Sequence, residues 1–245
     1  MSYPINYPTP QGANIQIFKG GNTNDTTHRN IRTWVKPQGC SFVWFTLIGA
    51  GGRGGTTQAG TAGGGGSGAV TNCLMPAFLI PDQLQVYVGS GAPTTPLKSE
   101  IYYQQKDGTG YTLLTANPGI NGDSAGGGAG GTASTSNFFS AAGFFQSVAG
   151  QSGGTGNISA SSTTFLSGGP GIISNVTANY GYSTVSLNPG FFQTQPIIVG
   201  VANGGNNAST NKYTAGIGCG GGSANDNVGG VATNGGDGMV VIISW

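Results

Sequence analysis

The sequence predicts an all-β fold: a glycine-rich, β-sandwich-like domain with polyglycine or polyproline-II-type segments packed between or beside short strands, and almost no α-helix. Three observations predict it. Glycine supplies 49 of 245 residues, far above a usual share of about 7%. The apolar residues fall in short runs of strand length, bounded by Gly, Pro, Asn and Ser. No window sustains an i, i+3, i+4 apolar pattern, and each interrupting glycine costs a helix about 1 kcal/mol relative to alanine.

Composition argues that the glycine is ordered. Aromatics are 9% of residues and the net charge is +1, whereas disordered chains carry few aromatics and high net charge. With no basic stripe to neutralise phosphates, nucleic acid is not an expected partner. Cys40, Cys73 and Cys219 are odd in number and lack a C-x-x-C, so neither a disulfide framework nor a zinc site is expected. They read as small buried thiols. The opening MSYPINYPTPQG has no charged and apolar leader pattern. No apolar run approaches the roughly 20 residues of a membrane helix, so no membrane insertion is expected.

Taken in order, residues 1–30 read as an extended N-terminal arm and first strand, and 31–245 as a glycine-rich β domain. Pro4, Pro8 and Pro10 favour extended backbone in the arm. Residues 15–18 and 31–35 are strand candidates, and Pro37 with Gly39 supplies turn chemistry. Residues 42–48, FVWFTLI, are apolar on both alternating faces, as in a strand covered on both sides. Residues 69–74 and 84–88 follow as strands, the second alternating cleanly. Residues 101–103 and 111–115 flank Asp107-Gly108, a hairpin signal. Residues 132–193 mix Ser, Thr and Asn with the pairs Phe138-Phe139, Phe144-Phe145 and Phe191-Phe192, and the last two pairs read either as plugs at the ends of the glycine layer or as contacts for a sugar or another protein. Residues 196–201 and 239–245 close the series as strands.

The glycine blocks, led by 49–68 (GAGGRGGTTQAGTAGGGGSG), break the Gly-X-Y period that collagen requires. Polyproline II remains: three residues per turn, with every N–H and C=O pointing outward. Buried, each must find a partner on a neighbouring segment. Only glycine lets such backbones approach, because a Cβ would hold them apart. A lattice of backbone hydrogen bonds, clamped by strands at one end, is the expected core.

The chemistry-bearing motifs are few. Residues 49–54 match G-x-G-x-x-G after an apolar strand, but no helix-forming stretch follows to hold a pyrophosphate. His28 sits in a polar loop, and Asp123, Asp226 and Asp237 lie in glycine-rich segments as turn aspartates. No catalytic set, metal site or cofactor is expected. Exposed tyrosines beside Asn, Ser and Gln suit sugars or protein surfaces. The candidate surface-binding residues are Tyr102, Tyr103, Tyr180 and Tyr182, on stretches 98–111 and 175–193, expected as exposed loops.

Four features now run in series: tryptophan with a Pro-x-Gly turn (34–39), an apolar strand into polyglycine (42–55), LQVYVGSG (84–91), and a terminal DGMVVII (237–243). In this order they resemble the glycine-rich domains of phage tail-fibre and other virion proteins, over 31–245. The resemblance implies a strand-clamped glycine core and a structural or host-attachment role without catalysis. It implies other virion proteins as partners, a homo-oligomer with a trimer favoured, and a host cell-surface glycan or protein as receptor. The expected location is the virion, after synthesis in the host cytoplasm. The other expectation is capsid decoration or fibre anchoring, a purely architectural role.

Overall fold

The computed structural model describes residues 12–20, 30–57, 60–91, 94–124, 126–134, 144–158, 182–185, 197–200, 215–225 and 232–245. Among them every regular element is a strand except one short 3₁₀ turn, Ala77–Leu79. The fold is all-β and sandwich-like, as the sequence predicts.

One sheet has five antiparallel strands. β1 (Asn14–Lys19) and β15 (Met239–Ser244) lie beside β3 (Phe42–Ile48), β6 (Val70–Pro76) and β10 (Phe144–Val148), in the order β1-β15-β3-β6-β10. The other has four: β2 (Asn30–Val35), β7 (Gln83–Val88), β8 (Ser99–Gln104) and β9 (Gly110–Ala116), in sequence order. Alternation sends Val43, Phe45 and Leu47 of β3 and Val240 and Ile242 of β15 into one core. There they join Trp34, Leu84, Val86, Ile101 and Leu114 of the four-stranded sheet. Each such large side chain, fully buried, stabilises by about 1.5–3 kcal/mol. Trp44 and Ile48 point the other way and join Val70, Met239, Val241, Ile243, Ala215 and Cys219 in a second cluster. The two-faced apolar pattern of 42–48 therefore has its expected cause.

Past the sandwich the strands run on as glycine-rich segments with few side chains. Ile48 stands opposite Val70 in the β3–β6 pair. The next bonds, Gly49 N–H to Ala69, Gly52 to Gly66 and Gly55 to Gly63, keep that register, with one bond every third residue. The β15–β3 pair does the same: Met239 opposes Ile48, then Gly51 donates to Gly236 and Gly54 to Thr233. So does β10–β6, through Ser67 to Gln151 and Gly64 to Gly154. That register carries on into a short pair, β5 (Gly60–Gly63) with β11 (Thr155–Ile158). A period of three in place of two is the signature of polyproline II.

The lattice also bonds where the sandwich cannot. β6 and β9 belong to different sheets, yet their continuations pair: Gly63 donates to Asp123, Gly66 to Ile120 and Ala69 to Asn117, at 2.8–3.1 Å. Gly65 and Gly68 donate to Gly221 and Gly218, while Gly128 and Gly131 donate to Gly64 and Ser67. Segment 63–69 is thus bonded on all sides. At Gly65 space forbids anything larger than hydrogen: a Cβ would lie 2.0 Å from the Gly52 carbonyl oxygen. At the junction Ser99 Oγ donates to the Ile48 carbonyl at 2.7 Å and accepts from Gly89 N at 3.0 Å, tying the two sheets where they merge.

Several expectations change. The lattice is clamped at both ends, since β5–β11 and the parallel pair β4 (Thr56–Thr57) with β14 (Ala224–Asn225) lie beyond it. Residues 98–111 are not a loop: they span all of β8 and the start of β9, with the turn confined to 105–109. Phe144 and Phe145 lie on an edge strand, because alternating exposure suits a half-covered strand better than a plug. Of 175–193, only the backbone of β12 (Tyr182–Val185) is described, paired with β13 (Ile197–Gly200). The remaining aromatic pairs, His28 and most of the arm lie outside the described residues.

Candidate functional site

β8 carries the two described candidates, and strand geometry sends them to opposite faces. Tyr103 packs against the main core. Its cross-strand partner Tyr111 is 49% exposed. Tyr102 lies on the outer face of the four-stranded sheet, its ring centroid 5.7 Å from that of Tyr87 at 81°. That edge-to-face arrangement is one aromatic rings favour. Its hydroxyl covers Gly110, so a side chain at 110 would push the Tyr102 ring aside.

Amides surround the two rings. Tyr87 donates its hydroxyl proton to Gln85 Oε1 at 2.8 Å, and Gln85 Nε2 donates to Gln104 Oε1 at 3.3 Å. The patch offers ring faces and neutral hydrogen-bonding groups, chemistry that suits a polar, uncharged contact. Nearby Glu100 is buried, and Lys98 Nζ meets its Oε1 at 2.7 Å, as a buried charge requires. The 105–109 turn is pinned by Thr109 N donating to Asp107 Oδ1 at 2.9 Å. Tyr182 opposes Gly200 in the β12–β13 register, while Tyr180 lies outside the described residues. Sequence reasoning missed Tyr87 and Gln85 as partners of Tyr102, although the alternation of 84–88 already put both on one face.

The other ionisable groups hold structure. Asp237 Oδ1 accepts from Gly91 N at 2.9 Å and Ser90 Oγ at 3.2 Å. Burial pushes its carboxyl above the ordinary range, against those two hydrogen bonds, which lower it. Asp123 Oδ1 accepts from Gly126 N. Both satisfy backbone groups as expected of turn aspartates; Asp226 lies outside the described residues. Burial pushes the Cys73 thiol up to about 12, and none of the three cysteines is in a disulfide.

A family model for a glycine-rich domain matches residues 24–245. The chain belongs to the glycine-rich domain family. The family description is compositional and carries no link to phage tail fibres. No curated protein matches the chain. In this glycine-rich domain the G-x-G-x-x-G stretch has a structural use. The amides of Gly49, Gly51, Gly52 and Gly54 donate to the carbonyls of Ala69, Gly236, Gly66 and Thr233. A phosphate cradle needs such amides free to face the ligand.

Proposed function

We propose that the chain is a structural protein of a bacteriophage virion, a tail-fibre, tip or surface component that acts in host attachment by binding through surfaces held on a glycine scaffold. The observation that carries the reading is the unbroken register from sheet to lattice. It fixes exposed turns and the Tyr87–Tyr102 patch on a rigid base, the setting in which binding residues concentrate. The resemblance of 31–245 to virion glycine-rich domains adds the location. Other virion proteins are the partners, the assembly is a homo-oligomer with a trimer favoured, and the receptor is a host cell-surface glycan or protein. The reading needs no catalytic step.

A second reading, capsid decoration or fibre anchoring, draws on edge strand β2, where Ile31 and Val35 are exposed. Exposed strand edges are templates for pairing with another chain.

The test is a particle carrying Tyr102→Ala, Tyr180→Ala and Tyr182→Ala. Loss of host adsorption with normal incorporation is the result expected for attachment. Loss of incorporation moves the protein to the architectural role. Antibody labelling that finds the chain on no particle removes both.

A further inference from the structure

At the end of the sandwich remote from the lattice, aromatic side chains gather in the open. Phe42 is 42% exposed and stacks on Trp245, with ring centroids 6.1 Å apart and 29° between planes. Phe42 stands opposite Pro76 in the β3–β6 register. Ala77 N donates to the Ser41 carbonyl, which brings the 3₁₀ turn against the start of β3. Phe78, in that turn, is 82% exposed. Clustered exposed apolar groups mark contact sites more often than scattered ones do.

β1 delivers the N-terminal residues to this place. Asn14 opposes Ser244, so the chain preceding it starts beside Trp245. Ala13 packs against the cluster that contains Trp245. Gly12 has φ +89°, a conformation side chains disfavour. Residues 1–11 read MSYPINYPTPQ. A segment of this length reaches at most about 40 Å when extended. Its composition, three prolines with two tyrosines and an isoleucine, is that of a pre-ordered polyproline-II ligand, which docks on aromatic surfaces at low entropic cost.

We propose that residues 1–11 bind the aromatic surface formed by Phe42, Phe78 and Trp245 of their own chain. Tethering favours the chain's own segment over a neighbour's, because a short linker sets an effective concentration in the millimolar range. The surface is then a receptor for proline–tyrosine segments.

The experiment compares the full chain with one lacking residues 2–11, using an apolar fluorescent dye and a synthetic peptide of residues 2–11. The shortened chain should bind the dye with roughly threefold or more higher signal, since an apolar patch is uncovered. The peptide should return the signal to baseline saturably, and Phe78→Ser should weaken that effect roughly tenfold, about 1.4 kcal/mol. Unchanged dye binding, or a peptide that does not compete, overturns the proposal. A full chain that sediments as an oligomer and dissociates on deletion assigns the surface to a second copy's arm, and also overturns it. Should the shortened chain fail to fold, the full chain with Phe78→Ser serves. Proteinase K cleavage within residues 1–11 should then accelerate roughly tenfold, as for a released segment, and an unchanged rate again overturns the proposal.

Discussion

Strand β3 and segment 49–55 are one continuous stretch in one register, yet they are held by different physics. In β3 the backbone bonds to β15 and β6 within the sheet plane. Its side chains hold the opposite sheet away, at about 10 Å in such packings, and the stability comes from buried Phe45 and Leu47. In 49–55 the same pairings continue, and bonds appear in directions the sandwich lacks: Gly119 and Gly122 donate to Ala50 and Arg53, and Gly221 donates to Gly52. Two of those donors extend β9 of the other sheet. Side-chain volume is the variable that changes. Where it is present, sheets stay apart and apolar burial holds them; where it is absent, they merge and amides hold them.

The sharpest way to break this comparison is to restore one methyl group to the lattice. Gly65→Ala places a Cβ 2.0 Å from the Gly52 oxygen and 2.4 Å from its carbonyl carbon, with only backbone to yield. It should lose more than about 4 kcal/mol, the range reserved for overpacking and lost hydrogen-bond networks, measured by chemical denaturation. Amide exchange in the unaltered chain should be slow across the bonded residues of 49–55 and 63–69. A Gly65→Ala chain within about 1 kcal/mol of the parent, ordinary for a point mutant, would show that the lattice is pliable. In the sandwich the opposite change is the informative one. Leu47→Ala opens a cavity in a fully buried site and should lose about 2–5 kcal/mol. The two regions therefore fail in opposite directions, one by gaining a methyl group and the other by losing them.

Glycine outside the lattice sharpens the point. Gly39 has φ +77° in the turn after Pro37, and a Cβ there would meet nothing within 4 Å. Gly39→Ala should lose only about 1 kcal/mol, the penalty of left-handed backbone alone, read from the same denaturation curves. Gly65 and Gly39 share an identity and differ in cause. If their alanine variants were equally destabilised, the crowding at Gly65 would not be the reason for its glycine.

Much of this was legible in the sequence. Alternation placed β7, and the doubly apolar run 42–48 announced a strand covered on both sides. Asp107-Gly108 marked the β8–β9 turn, where Gly108 has φ +88°. Glycine density pointed to backbone packing. The continuity of register was not legible, because pairing partners lie far apart in sequence and glycine has no side chain to signal a face. A trace was present nonetheless: in 49–55 the side chains, Ala50 and Arg53, fall three apart, the period of the lattice. The split of Tyr102 and Tyr103 between two faces follows from strand alternation, which the hairpin reading of 101–103 already implied and the expectation of 98–111 as an exposed loop set aside. β10 was missed because paired phenylalanines read as plugs, although Phe144 stacks over Trp44 at 6.1 Å.

The smallest effect probes the seam between the two regions. Asp237 lies in the lattice segment 232–238, and its carboxylate accepts from Gly91 and Ser90 at the end of the four-stranded sheet. Burial outweighs these bonds and raises its pKa above the ordinary 3.8. A carboxyl raised in the folded chain holds its proton to higher pH than in the unfolded chain. Its contribution to stability is therefore complete below the unfolded pKa and is lost as pH climbs through the raised folded value. Asp237→Asn keeps an acceptor oxygen for both donors and has no proton to lose. The parent's melting temperature should fall relative to that of Asp237→Asn as pH rises from about 3.9, the unfolded value, and the gap should then level off above the folded pKa. The opposite slope, with the parent losing ground on acidification, would mean that the hydrogen bonds at the seam outweigh the loss of solvent. The junction would then be held by charge, unlike either region it joins.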